Sequence, residues 1–136
     1  VKDNVDQNFI NNLLKWMKQN KVDYTNTFCN LMDINSDEVY KNNNFILWKN
    51  KWRKRSELNN LSKEKQIKLM RKNNPIVIPR NHKVEEALAK ASKGNLDSFK
   101  NLLDVLKKPY SKQNKIEKYQ MPAPLSNKKY QTYCGT

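Results

Sequence analysis

Two cysteines, one histidine and a thin set of carboxylates are the residues of this chain whose types could do chemistry. Cys29 and Cys134 lie too far apart in sequence for a zinc knuckle and are too few for a disulfide scaffold, so a reducing compartment is expected. Cys29 follows Phe28 on a helix expected to be buried and reads as a small apolar core residue. Cys134 is the redox candidate: third from the end, with Gly135 beside it, its thiol could reach a partner sulfur or a peroxide. His82 has no Cys or carboxylate at metal-ligand spacing and reads as structural rather than as ligand or base. Glu85 and Glu86 fall in the first turn of a helix, where the helix dipole accounts for them. Gly94 and Gly135 are the only glycines, which rules out a Gly-rich phosphate loop. Catalytic, cofactor-binding and metal-binding residues within the chain are therefore each read as none.

The elements that would position such groups are helices. Phe9, Ile10, Leu13, Leu14 and Met17 recur at helical spacing and predict an amphipathic helix over about Val5 to Asn20. A shorter helix fits Tyr24 to Met32 with Asp23 as N-cap, and Asn35 or Ser36 ahead of Asp37 and Glu38 starts a further short piece. Phe45, Trp48 and Trp52 stand at i, i+3 and i+7 on a helix from about Asn44 to Leu58. Ser62 caps the next helix, which runs through Met70 and Arg71, with Glu64 and Lys68 as an i,i+4 pair. Pro75 and Pro79 make residues 73–81 an ordered connector rather than a helix. Val84, Ala87, Leu88 and Ala91 then form an apolar stripe that Gly94 ends. Asn95 caps a last helix carrying Leu96, Phe99, Leu102, Leu103 and Leu106, so that the two form a helical hairpin stopped by Pro109. The fold class is all-α, a small bundle of about six or seven helices over residues 1–109. Residues 110–136 read as an extended tail whose Tyr119, Tyr130 and Tyr133 suit it to lie across another surface.

An apolar share of 37% and a mean hydropathy of −1.01 limit the chain to one small core. No stretch approaches the roughly 20 apolar residues of a membrane span, and the N-terminus lacks a signal peptide's order of basic, apolar and small residues, so no membrane partner is expected. The formal charge of +14 would attract any polyanion. An alternative reading is therefore a stand-alone basic helical module binding nucleic acid through Trp48, Trp52, Arg53, Lys54 and Arg55. Helical spacing explains the aromatics as core and the charges as a solvated face, so nucleic acid is not the expected partner. The chain opens on Val1 rather than Met, and it is expected to be part of a longer protein.

The run from Asn74 and Pro75 through Pro79, Arg80, Asn81 and His82 to Leu88, the later stretch Asp104 to Tyr110, and the ending Tyr133-Cys134-Gly135-Thr136 resemble in order and spacing the C-terminal end of the selenoprotein O (SelO/YdiU) family. The resemblance is specific over residues 70–136 and looser from Phe9 through Trp52. It implies the C-terminal part of a protein-kinase-like fold, in a cytoplasmic bacterial enzyme that transfers AMP from ATP to Ser, Thr or Tyr hydroxyls of proteins. ATP and Mg²⁺ are implied for that parent enzyme and not for this chain, because the family's nucleotide- and metal-binding motifs lie upstream of the matched part. The implied partners are the upstream kinase-like domain of the same protein and the parent's protein substrates. Without that domain, exposed apolar surface could be hidden by dimerisation. Cys134 occupies the position where the family carries a Cys or selenocysteine, which implies a redox role, although Cys-Gly-Thr stands where many members have Cys-Ser-Ser. Asn74, Pro75, Arg80, Asn81 and His82 match as a structural motif, with Arg80 and Asn81 expected to satisfy carbonyls and cap the helix starting near His82.

Overall fold

Helix forms wherever apolar side chains recur at three- and four-residue steps, and in the computed structural model, which describes residues 3–125, no strand occurs among the described residues. Helix α1 (Asp3–Gln19) buries Leu13, Trp16 and Met17 along one stripe. Helix α2 (Tyr24–Leu31) begins at Asp23, whose carboxylate accepts from the Asn26 amide at 2.9 Å. A single 3₁₀ turn (Glu38–Lys41) leads to α3 (Asn43–Leu58). The α3 cap, Asn42, accepts with one side-chain oxygen from the Asn44 amide (3.0 Å) and from the Trp16 indole (3.1 Å), joining α1 to the start of α3.

These elements enclose an aromatic core. Phe45, 1% exposed, stacks on Trp16 at 4.6 Å, and Phe9 stacks on Trp48 at 4.7 Å. Full burial of a ring the size of Phe45 contributes about 2–3 kcal/mol before any stacking gain.

Helix α4 (Lys63–Asn73) starts at Ser62, which accepts from the Lys65 amide. Residues 74–80 are irregular, as the prolines require, and lead to α5 (Asn81–Ala91) and α6 (Asp97–Leu106), which pack on each other as a hairpin. Between them Gly94 takes φ +87°, a left-handed conformation costly for any residue with a Cβ, and the Asn95 side chain accepts from the Asp97 amide at 3.0 Å. A second, largely aliphatic core gathers Cys29 and Met32 from the end of α2, Ile76 and Val77 from the connector, Ala87 from α5 and Leu102 from α6.

Several expectations change on folding, among them the α1 stripe, where Ile10 and Leu14 stay 49% and 42% exposed. The segment after Pro109 is not simply extended: it carries a short helix α7 (Glu117–Gln120), and Ile116 and Tyr119 are buried in the aliphatic core, so the surface it lies across belongs to its own chain. Glu64 and Lys68 do not pair; the cation that reaches out of this helix is Lys63, 3.2 Å from Asp33. Leu88, placed on the α5 apolar stripe, is 53% exposed while Ala87 beside it is buried, because the hairpin's rotation points the residue one step earlier at the core. No helix among the described residues is long and apolar enough to cross a membrane.

Candidate functional site

The connector motif becomes a clamp. Proline removes the amide at position 75, and Asn74 closes α4 by donating both its backbone and side-chain N–H to the Met70 carbonyl, at 2.8 and 2.9 Å. Ile76 then donates to the Pro109 carbonyl (2.8 Å) and accepts from the Gln120 side chain (2.8 Å). Both backbone groups of this buried residue are thereby satisfied from chain 33 and 44 residues downstream, as burial demands. Four residues later Arg80 forms a two-pronged ion pair with Asp23, each bond 2.8 Å, with the two side chains 9% and 19% exposed. Asp23 thus caps α2 and anchors the connector with the same carboxylate.

Arg80 stands at the N-cap position of α5, where its backbone carbonyl accepts from the Lys83 and Val84 amides at 3.0 Å each, but its side chain makes no cap hydrogen bond and satisfies no carbonyl, reaching across to Asp23 instead; Asn81 is the first helical residue and is exposed. Nothing local to Arg80 signals a partner 57 residues earlier. Burial works to raise the Asp23 carboxyl, but the hydrogen bonds from Arg80 and the Asn26 amide, with the Arg80 charge, hold it below the usual carboxylate range. His82 is half-buried and its imidazole is held below its ordinary value by that burial and by the Lys83 and Arg80 charges, which favours the neutral ring. Cys29 is fully buried, and desolvation pushes its thiol up to about 11, so it is a core residue without thiolate reactivity. Cys134, with Tyr130, Tyr133 and Gly135, lies outside the described residues.

A second charged cluster surrounds Asp33. Lys49 (3.2 Å), Arg53 (3.0 Å) and Lys63 (3.2 Å) converge on its carboxylate, joining α3 and the start of α4 to the turn after α2. Burial opposes ionisation of Asp33, yet the Lys63 and Lys49 hydrogen bonds and the Lys49 and Arg53 charges hold it below the usual range. Arg55 pairs with Asp6 on α1. Of the five residues of the nucleic-acid alternative, Arg53 and Arg55 are thus committed to carboxylates. Trp48 stacks between Phe9 and Trp52 and donates its indole N–H to the Phe9 carbonyl at 3.0 Å. Only Lys54 of that set is exposed without a recorded ion pair among the described residues.

For ATP and Mg²⁺ the described residues supply no fitting donor set. No three His, Cys, Asp or Glu side chains converge on a point among them, and a cleft of about 580 Å³ between α1 and the end of α3 is lined by Phe9, Ile10, Trp52 and Leu58 together with the Asp6 and Arg55 pair. That lining suits apolar contact, not a triphosphate, and no chemical step is assigned to it.

The family model described as Protein adenylyltransferase SelO matches residues 1–107. The chain is 50% identical over 98% of its length to the protein nucleotidyltransferase YdiU of Pelagibacter ubique, and 42% identical over 96% to those of Clostridium perfringens and Bacillus mycoides. It spans only 27–28% of the length of these relatives. No solved structure matches it. The chain therefore belongs to the SelO family of protein adenylyltransferases.

Proposed function

We propose that these residues form the C-terminal helical part of a longer protein adenylyltransferase, an enzyme that moves AMP from ATP to Ser, Thr or Tyr hydroxyls of proteins on a kinase-like fold with Mg²⁺. The observation that carries the reading is the 50% identity across 98% of the chain to a nucleotidyltransferase of which it covers 28%. In this reading the segment contributes support. Leu96, Phe99 and Leu103, at i, i+3 and i+7 along α6, are 50%, 41% and 44% exposed, an apolar stripe suited to packing against the rest of the enzyme or, in isolation, against a second copy.

The test uses labelled ATP. A full-length protein carrying this segment is expected to transfer AMP to protein acceptors, and the 136 residues alone to transfer none; turnover by the isolated segment overturns the reading. Cys134 serves as the redox group of the same enzyme in this proposal, and Cys134→Ser in the full-length protein should remove the response of AMP transfer to oxidant and reductant. An unchanged response removes Cys134 from that role.

A further inference from the structure

Helix α1 carries more apolar side chain than the described residues cover. Of the residues that helical spacing puts on its inward stripe, Leu13 and Met17 are buried and Phe9 stacks on Trp48, while Ile10 and Leu14, one turn apart, stay exposed. Ile10 lines the cleft of about 580 Å³ between α1 and α3, where Phe9, Trp52 and Leu58 supply the rest of the apolar wall. Leu58, the last residue of α3, is 85% exposed. An apolar surface thus runs from Leu14 through Ile10 and across the cleft to Leu58, open to water.

The charged and hydroxyl groups of the same wall are already partnered. Asp6 and Arg55 pair with each other, and the Ser56 hydroxyl donates to the Trp52 carbonyl at 3.0 Å and accepts from the Gln66 side-chain amide. With these groups met, the cleft offers apolar area, which suits an aliphatic or aromatic side chain and gives a small polar ligand little to hold.

What covers it follows from the place of the cleft along the chain. On the reading that these residues are the C-terminal part of a longer enzyme, on which this inference rests, nearly three quarters of the protein precedes α1, since the chain spans 28% of a relative's length. Asp6 lies one turn from Asp3, where α1 begins, about 4.5 Å along the helix axis, so the incoming chain arrives beside the cleft. A segment attached there needs only a few extended residues, at about 3.3 Å each, to fold back onto Ile10 and Leu58. Its effective concentration is on the order of 1 mM, which a second copy or an unattached partner in a dilute solution does not match.

We propose that the cleft between α1 and α3 is the docking seat of the segment that directly precedes Val1 in the full-length enzyme, which lays an aliphatic or aromatic side chain between Ile10 and Leu58. Trp52 both packs against the aromatic core and lines the cleft, so this docking joins the upstream part of the enzyme to that core.

The experiment places the photo-reactive residue p-benzoylphenylalanine at position 58 of the full-length enzyme and maps the cross-links by mass spectrometry. Cross-links to the roughly 20 residues before Val1 are expected, the span that a short fold-back can bring to the cleft. Cross-links to a more distant part of the enzyme or to a second copy, or no cross-link at all, overturn the proposal. Leu58→Lys gives an independent reading, because an exposed side chain at the end of α3 can change without disturbing the fold. It should leave the urea midpoint of the 136-residue chain in place while raising proteolysis of the upstream segment in the full-length enzyme by about fivefold or more. Equal proteolysis of variant and parent overturns the proposal, and so does a lowered midpoint of the 136-residue chain, which would mean that Leu58 is already covered. AMP transfer by the same full-length protein is measured in parallel. Absent transfer with the cross-link in place removes the enzymatic reading alone, and transfer without the cross-link removes the docking alone.

Discussion

The two cores of this chain are built by opposite means. The aromatic one, Leu13, Trp16, Met17, Leu31, Tyr40 and Phe45, comes from the first 45 residues, with Trp48 and Trp52 packed against it. The aliphatic one takes its members from five separate stretches between Cys29 and Tyr119. In the first, large rings at helical spacing find each other with little loop closure; in the second, small side chains meet only because Asp23–Arg80, Ile76–Pro109 and Gln120–Ile76 hold irregular backbone in place. Local pattern suffices for one region, and long-range polar contacts are needed for the other. Helix α2 serves both, sending Leu31 to one side and Cys29 and Met32 to the other.

The comparison is most strongly challenged by Phe45→Ala, which removes a ring 1% exposed from between Trp16 and Tyr40 and is expected to cost about 3–5 kcal/mol in urea unfolding. All three tryptophans lie in that region, so fluorescence reports it alone while circular dichroism reports every helix. Ile76→Ala should cost about 2–4 kcal/mol. If the cores are coupled through α2, both signals shift together; a fluorescence midpoint left unmoved by Ile76→Ala would show two separately folding halves.

Arg80→Ala ranks next, at about 2–3 kcal/mol, because it strands the partly buried Asp23 carboxylate. The pH dependence has a definite sign. Asp23 and Asp33 have folded-state pKa values below their ordinary ones, so their contribution is whole above about pH 5 and is lost as the pH falls through the depressed folded values. Stability measured against pH should therefore drop on the acid side, and by less in Arg80→Ala, where Asp23 loses the hydrogen bond and the charge that help hold its carboxyl down. An acid limb of unchanged size in that variant would assign the loss elsewhere. Smallest of all, Leu103→Gln on the exposed α6 stripe should change the stability of the 136-residue chain by no more than about 0.5 kcal/mol; a larger loss would mean that stripe is already covered.

How much of this the sequence displays follows the same division. Phe45, Trp48 and Trp52 announce their helix and its inward face, and the caps Asp23 and Ser62 are readable from residue type and position, whereas the expected cap Asn95 falls one residue ahead of the N-cap Leu96 and accepts from the Asp97 amide from there. Arg80 is readable as part of a family motif but its partner is not, since no periodicity links position 80 to position 23. Helix α7 is too short to show a period, and its burial depends on Ile116 and Tyr119 reaching a hydrophobic pocket made by residues up to 90 positions away. Asn26 shows the same limit: an asparagine near a helix start reads as polar surface until Gln120 covers it.

The downstream bonds to Ile76 have a consequence for how the molecule comes into being. Its carbonyl is met by Gln120, and Tyr119 roofs the hydrophobic site beside it, so translation must run past that point before the aliphatic half has all its parts. A nascent chain paused near Pro109 would already hold the aromatic half yet carry Ile76 and Val77 open to water, a state that a chaperone or a protease would recognise. Synthesis of residues 110–120 is then also a quality check on this segment, with its proteolytic resistance arriving only after α7 is made.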